Sequence, residues 1–508
     1  MRRFVVRRAI HTTNGVHMRS ARNVRDAHGA DGADGSTVGW PRRGAGGNDE
    51  RNDMEISAQE IRARVAADWQ GIMDVVRQKV ALRSVSAQGI TGDHMKESAQ
   101  YVARIMREVG VDARVVQSHN PDGSAGAWEV IGSLETNPDA PTVLLYAHHD
   151  VQPVPDPDEW DTDPFEVTQV GDRLYGRGTC DDTGGIAIHY GALKALGDDL
   201  GVNIKIFFEG EEEMGSESFI PFIEEHHDEF DSDVIIVADS GNWAPDVPSL
   251  TTSLRGNATC DVHVKVLEHP VHSGQYGGPI LDANTVAAML IANMYDGDGS
   301  LHIHGLEGGD PIGGLQQDVD VTDMRAAAGV VDSYRLAGSG SLASRLWTKP
   351  SATIIGFDAH PVKGSFNVIS PETTFRVSLR VSPLQDPQAA MNAMVEFFES
   401  HAPFGAEVHV TPVSVGMGWA MDPNCTATKD AMDALQEAFD VAPVNKGEGG
   451  SIPFIPELQK IFPHAQVLVT GPEDPISNAH SPNESVSVSG LEKDVVAEAL
   501  LLDKLGRN

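Results

Sequence analysis

From Glu55 to about Val109 the apolar residues recur at helical spacing, as in Ile61-Arg-Ala-Arg-Val65-Ala66 and Tyr101-Val102-Ala-Arg-Ile105-Met106. This predicts two amphipathic helices ahead of the first strand. The pattern then becomes continuous: Glu129–Gly132 and Pro141–Ala147 read as strands, the second apolar enough to be buried on both faces. Helical spacing returns at Ile186, Ile188, Tyr190, Leu193 and Leu196, and strands follow at Asn203–Phe208 and Asp233–Ala238, separated by a short acidic helix from Phe219 to Phe230. Strands alternating with helices predict an α/β fold with a mixed, mainly parallel sheet flanked by helices.

Near Ser253 the period changes. Ala258–Leu267 alternates through Cys260, Val262, Val264 and Val266, and Phe375–Val381 through Phe375, Val377, Leu379 and Val381, as half-exposed antiparallel strands do. Between them lie helical segments, notably Ala283–Met294, and an irregular stretch from Gly297 to Gly340. We therefore expect an inserted α+β domain over residues 254–415. It splits a first domain into residues 54–253 and 416–508, the latter holding a helix at Thr426–Phe439 and a strand at Gln466–Val469. From Asp26 to Asp53 the chain is rich in Gly, Asp and Arg with almost nothing to bury, so residues 1–53 read as a disordered extension, or as sequence upstream of a start near Met54.

Composition narrows the function. At 508 residues the chain exceeds a single core, and 40% hydrophobic with 22% charged residues is the balance of a globular protein. A formal net charge of -36 argues against nucleic acid and anionic membrane surfaces and favours cations. No run approaches the roughly 18 apolar residues of a membrane span. Cys180, Cys260 and Cys425 are too few and scattered for disulfides or a thiolate metal site, which points to a reducing, cytoplasmic setting. Arg2, Arg3, Arg7, Arg8, Arg19, Arg22 and Arg25, with no acid among them, give the competing reading of an organelle transit peptide.

The chemistry gathers at strand ends. The run Ile204–Phe208 delivers Glu209, Glu211, Glu212 and Glu213 into a Gly/Ser turn, where crowded carboxylates repel unless protonated or bound to a cation. The strand before it ends in His148-His149-Asp150 and the one after it in Asp239. In open α/β sheets ligands collect outside the carboxyl ends of the strands, so these residues would converge. Asp181, on the Gly-rich loop Gly176–Asp182, and His480, in a late loop, can join them. The set His148, Asp181, Glu213, Asp239 and His480 suits two divalent ions of the zinc or manganese type, one carboxylate bridging, better than a single tetrahedral zinc. Such a pair, about 3.5 Å apart, acidifies a shared water and polarises a carbonyl. Glu212, beside a ligand but spare, is then a general base.

Other candidates have plainer readings. His149 alternates to the opposite side of the strand end, His302 and His304 would share one face of an exposed strand, and His226 and His227 would be solvated on an acidic helix. Cys180 has no paired base in its motif and is not read as a nucleophile.

The order His-x-Asp, Gly-Arg-Gly-x-x-Asp-Asp, Glu-Glu-x-Gly-Ser, Asp, late His resembles the di-metal peptidase and acylase family. That family includes carnosinase-like dipeptidases, glutamate carboxypeptidase, acetylornithine deacetylase and succinyl-diaminopimelate desuccinylase. The resemblance runs from about Glu55 to the C-terminus. It implies His148 and Asp239 on one metal, Glu213 and His480 on the other, and Asp181 bridging. The metals would be zinc, with manganese or cobalt as alternatives. Asp150 would orient the His148 ring, and the Asp181–Asp182 peptide would be cis. Gly176-Arg-Gly-Thr-Cys-Asp-Asp182, Glu209-Gly-Glu-Glu-Glu-Met-Gly-Ser216, His272-Ser-Gly-Gln-Tyr-Gly-Gly278, Gly449-Gly-Ser-Ile-Pro453 and Ala479-His-Ser-Pro-Asn-Glu484 are most similar to the dipeptidase branch. By that resemblance the substrate is a dipeptide or short peptide. His272 acts across a homodimer interface to stabilise the oxyanion, and Arg380, with Gly450 and Ser451, binds the substrate carboxylate. Two positions depart from the branch: Thr183 stands where a lysine is usual, and Gly447 where a basic residue is common, with Lys446 beside it. Two other readings are an N-acyl-amino-acid deacylase sharing every metal ligand, and a non-catalytic metal- or peptide-binding protein, for which Glu212 would have no use.

Overall fold

The computed structural model describes residues 56–507 apart from Ser451 and Pro453, so the expectations for residues 1–53 and for Ser451 lie outside the described residues. The N-terminal helical spacing becomes α1 (Ala58–Val80) and α2 (Asp93–Glu108). Ser57 caps α1 by accepting from the Glu60 N–H, and Ile61, Val65, Ile72 and Val76 form its buried stripe. An antiparallel hairpin follows, β1 (Asp112–His119) and β2 (Ala125–Leu134), then β3 (Thr142–His148), buried from Val143 to His148.

Helix α3 (Thr183–Leu196) is capped by Asp182, whose Oδ1 accepts from the Gly185 N–H at 3.0 Å. Next come β4 (Asn203–Glu209), α4 (Phe219–Glu225) and β5 (Val234–Val237). The helix expected over Phe219–Phe230 is interrupted at His226, with a single further turn at His227–Phe230. His226 is half-buried rather than solvated: its Nδ1 pairs with Glu229 at 2.7 Å and its ring lies 4.5 Å from that of Phe222.

Strand β6 (Ser249–Leu254) leads through Arg255 into β7 (Gly256–Lys265). Then follow α5 (Ala283–Ala292), β8 (Ser351–Phe357), β9 (Glu372–Val381), α6 (Pro387–Ser400) and β10 (Glu407–Gly416). The chain closes with β11 (Trp419–Ala420), α7 (Thr426–Phe439), β12 (Val444–Glu448), β13 (Gln466–Val469) and α8 (Val488–Leu505).

Two sheets carry the architecture. The larger has nine strands in the order β1-β2-β4-β3-β5-β13-β6-β11, with β12 also paired to β6. Its middle strands β4, β3, β5 and β13 run parallel, as their uninterrupted apolar runs imply. Helices α1, α3 and α8 pack on one another, and α3 packs on β3. The smaller sheet, β8-β9-β7-β10, is antiparallel throughout. One face of β7 and β9 is buried at alternate positions in a separate core with Leu290 of α5 and Met394 and Phe398 of α6. The strand expected at His302 and His304 does not form. Leu301 makes an isolated bridge to Tyr295, and only Ile303 turns inward, leaving His302 exposed with its Nδ1 3.6 Å from Asp296.

Candidate metal centre

Strands β3, β4 and β5 deliver His148, the Glu209–Glu213 segment and Asp239 at the same carboxyl edge of the sheet. Asp181 arrives on the loop before α3, and that loop is fixed by Glu484. The Glu484 carboxylate accepts from Arg177 Nη1 at 2.6 Å and from the backbone N–H groups of Gly178, Cys180 and Asp181 at 3.0, 3.2 and 3.3 Å. Asp182 ties the loop to β3 by accepting from the His148 N–H at 3.1 Å, and the Asp181–Asp182 peptide is cis, as the resemblance implies.

The five expected ligands form two triads that share one member. His148, Asp181 and Asp239 make the first, and Asp181, Glu213 and His480 the second, with donor atoms in each within 4.8 Å of one another. Asp181 divides its carboxylate between them: Oδ1 lies 2.8 Å from His148 Nε2 and Oδ2 2.8 Å from His480 Nε2. Asp239 is 3.8 Å from His148 Nε2, and Glu213 is 3.2 Å from His480 Nε2. Asp150, fully buried, accepts from the Glu212 and Glu213 N–H groups at 3.2 and 3.1 Å while its Oδ1 lies 3.2 Å from His148 Nδ1. One carboxylate thus orients the imidazole of one triad and fixes the turn bearing a ligand of the other. Gln152 Nε2 donates to Glu213 Oε2 at 2.6 Å.

The electrostatics are those of a site short of positive charge. Burial raises the pKa of Asp239 well above the carboxylate range and carries that of Glu212 to about 7, with Glu213 and Asp150 adding to the latter against His148. Burial also disfavours charge on Asp181 and His148. Hydrogen bonds from His148 and His480 nevertheless hold Asp181 below its ordinary value, and Asp150 and Asp181 hold His148 above its own. Asp181 and Glu213 lift His480 to about 10. Glu213 Oε1 is buried without a hydrogen-bond partner, although its other oxygen faces His480 and Gln152. An orphaned carboxylate oxygen, an excess of acids over imidazoles and an all-N/O donor set fit divalent metal.

The model of the family described as Peptidase family M20/M25/M40 matches residues 144–504, which include every one of these side chains. The chain belongs to that family. As an M20 peptidase it is a hydrolase, and it is 35% identical over 428 residues to the cysteinylglycine-S-conjugate dipeptidase of Corynebacterium striatum, covering 82% of this chain and 91% of that protein. It is 30% identical over 386 residues to the Cys-Gly metallodipeptidase DUG1 of Candida albicans, covering 71% and 78%. Among solved structures, the dipeptidase Dug1p from Saccharomyces cerevisiae shares the fold, with a TM-score of 0.72 over 90% of this chain and all of that one at 22% identity.

In this peptidase the remaining expected residues stand on other segments of the chain. His272 is exposed on a two-residue ribbon paired with Val368–Ile369, its Nδ1 accepting from the Gly274 N–H at 3.0 Å. Arg380 lies on β9, and the Gly450 carbonyl accepts from the Arg255 N–H at 3.2 Å. His149 turns away from the centre, as expected, and its Nε2 lies 2.6 Å from the Trp128 carbonyl. Cys180 is buried against Glu484, and burial pushes its thiol pKa up, so it stays protonated. Among the described residues no helix is long and apolar enough to cross a membrane.

Sequence reasoning left Glu209 and Glu211 without a role. Glu209 accepts from the Tyr146 hydroxyl at 2.7 Å, and Glu211 accepts from both the N–H and the hydroxyl of Ser218, so both buttress the turn. Gln152 and Glu484 were also missed. Glu484 lay in a quoted motif, four residues after His480, but nothing local marks its contact with residue 177.

Proposed function

We propose that this M20 peptidase is a metal-dependent dipeptidase that binds two divalent ions, zinc in the first instance, and hydrolyses the peptide bond of dipeptides or short peptides. The two-sided engagement of Asp181, 2.8 Å from an imidazole on each side, carries this reading. His148 and Asp239 would hold one ion, Glu213 and His480 the other, and Asp181 both. A divalent pair supplies Lewis-acid polarisation of the scissile carbonyl and acidifies a water. Glu212, whose pKa burial raises to about 7, takes that water's proton and passes it to the leaving amine. Arg380, with the backbone at Gly450 and Ser451, takes the substrate's C-terminal carboxylate.

His272 completes the site of a second subunit in a homodimer. Its exposure in its own chain supports this, as do the exposed Ile355 and Phe357 on the edge strand β8. All three cysteines are free, which suits a cytoplasmic enzyme. The names of the Corynebacterium and Candida relatives favour a dipeptide over an N-acyl amino acid. A panel of dipeptides, N-acetyl and N-succinyl amino acids, assayed on protein reconstituted with zinc or manganese, tests this. Turnover of dipeptides with two ions per chain is expected, and Asp181→Ala should lose both ions. Preferential turnover of N-acyl amino acids would replace the dipeptidase reading with the deacylase one.

A further inference from the structure

Arg255 is the single residue between the end of β6 in the larger sheet and the start of β7 in the smaller one. It is 9% exposed, and a buried guanidinium must find partners. They come from two segments distant in sequence. Its Nε donates to Gly449 O at 3.0 Å, beside a backbone bond from the Arg255 N–H to Gly450 O at 3.2 Å. Its Nη1 donates to the Ser351 hydroxyl at 2.9 Å. Ser351 is the register partner of Arg380 across the β8–β9 ladder.

The fit on the glycine side is close. A Cβ at Gly449 would stand 3.1 Å from Arg255 Nη2 and 3.2 Å from Leu346 O, whereas one at Gly450 would meet nothing within 4 Å. Gly449 is thus pressed against the guanidinium while Gly450 borders open space. The hydrogen-bond partners just named are carbonyls and a hydroxyl, so they leave the charge of Arg255 in place. Burial brings the Arg255 pKa down to about 10, with the like charge of Arg380 acting in the same direction and Glu448 against it. The neighbouring like charges of Arg255 and Arg380, the first of them bonded to the Gly449–Gly450 backbone, make a corner that attracts an anion.

We propose that Arg255 is a positioning residue for the substrate's terminal carboxylate, holding the Gly449–Gly450 backbone at a fixed spacing from Arg380 and adding its charge to that corner. This rests on the reading that Arg380 takes that carboxylate. The role calls for the arginine fork, because a lysine keeps the charge but has only one nitrogen to span two segments.

The test compares a dipeptide, Ala-Leu, with its C-terminal carboxamide on metal-loaded wild type, Arg255→Lys and Arg255→Gln, with melting temperature and metal content alongside. For Arg255→Lys, KM for Ala-Leu should rise roughly 10- to 100-fold with kcat within about threefold, the worth of a charge-assisted contact. Turnover of the carboxamide, already without the anion, should barely change. Equal losses on both substrates, an unchanged KM for Ala-Leu, or a lysine variant that fails to fold would each overturn the proposal in favour of a purely structural role. If wild type hydrolyses no dipeptide, the dipeptidase reading falls instead. Equilibrium binding of Ala-Leu and its carboxamide to wild type and Arg255→Lys then decides the inference: weakening confined to Ala-Leu upholds it, and equal binding overturns it.

Discussion

Glu212 and Glu213 are adjacent, and both backbone N–H groups are held by Asp150, yet only Glu213 places an oxygen against an imidazole. That geometry separates a ligand from a proton carrier. Glu212→Gln should therefore keep its metal, measured by elemental analysis, and lose about two to four decades of kcat. Metal loss in step with activity would merge the two roles. The five ligands were legible because most of them end an apolar run or open a helix, where period and charge change together. Glu484 was not legible, since its work is to accept backbone N–H groups from residues 178–181, some three hundred positions upstream. No periodicity encodes such a contact. Gln152 is similar, a neutral residue whose meaning is its 2.6 Å bond to Glu213.

At the scale of elements, the central strands of the larger sheet were legible and the edges of the smaller one were not. Strand β8 packs Ala352 and Ile354 on the smaller core but carries Ile355 and Phe357 on its exposed face, and β10 buries only Val410 while exposing Val413 and Val415, so neither shows a clean alternation of apolar and polar residues. Helix α6 was overlooked despite a signal: Asp386 caps it, Pro387 opens it, and Ala390, Met391, Met394, Phe397 and Phe398 form its stripe. Strand β12 explains one departure from the dipeptidase pattern. A Cβ at Gly447 would stand 2.5 Å from that of Trp347, so the basic side chain common there has no room, and Lys446 pairs with Glu448 at 3.0 Å. Gly447→Arg should then destabilise by about 1–3 kcal/mol in denaturant titration, and an unchanged midpoint would show that Trp347 yields freely. Helix α8 carries a pH-sensitive group. Asp494 is buried, its two oxygens accept from Asn242 Nδ2 at 3.1 Å, and burial pushes its pKa from 3.8 up to about 8. The folded state therefore holds a proton that the unfolded chain releases, so this stability is full below about pH 4 and is lost as pH rises through about 8. Asp494→Asn should flatten the fall in melting temperature across that window, and an undiminished slope would place its origin elsewhere.

For the whole molecule, the position of His272 bears on how many chains make one site. His272 is exposed on a separate two-residue ribbon and belongs to neither triad, whereas Glu212 feels the charges of His148, Glu213 and Asp181 within its own chain. If the oxyanion partner comes from a second subunit, Glu212→Gln and His272→Ala damage different halves of a shared site. Each variant alone should be nearly inactive. In a mixed dimer, however, the intact Glu212 of one chain meets the intact His272 of the other at one of the two sites. Equal mixing by subunit exchange makes half the dimers mixed, so about a quarter of wild-type activity should return. The regained kcat should come with an unaltered KM, because the restored site is chemically wild type. Activity that stays at the sum of the separate variants, while native mass spectrometry shows mixed dimers, would place both residues in one chain's site. Full activity of an isolated monomer would do the same, and either outcome would remove the dimer from the catalyst.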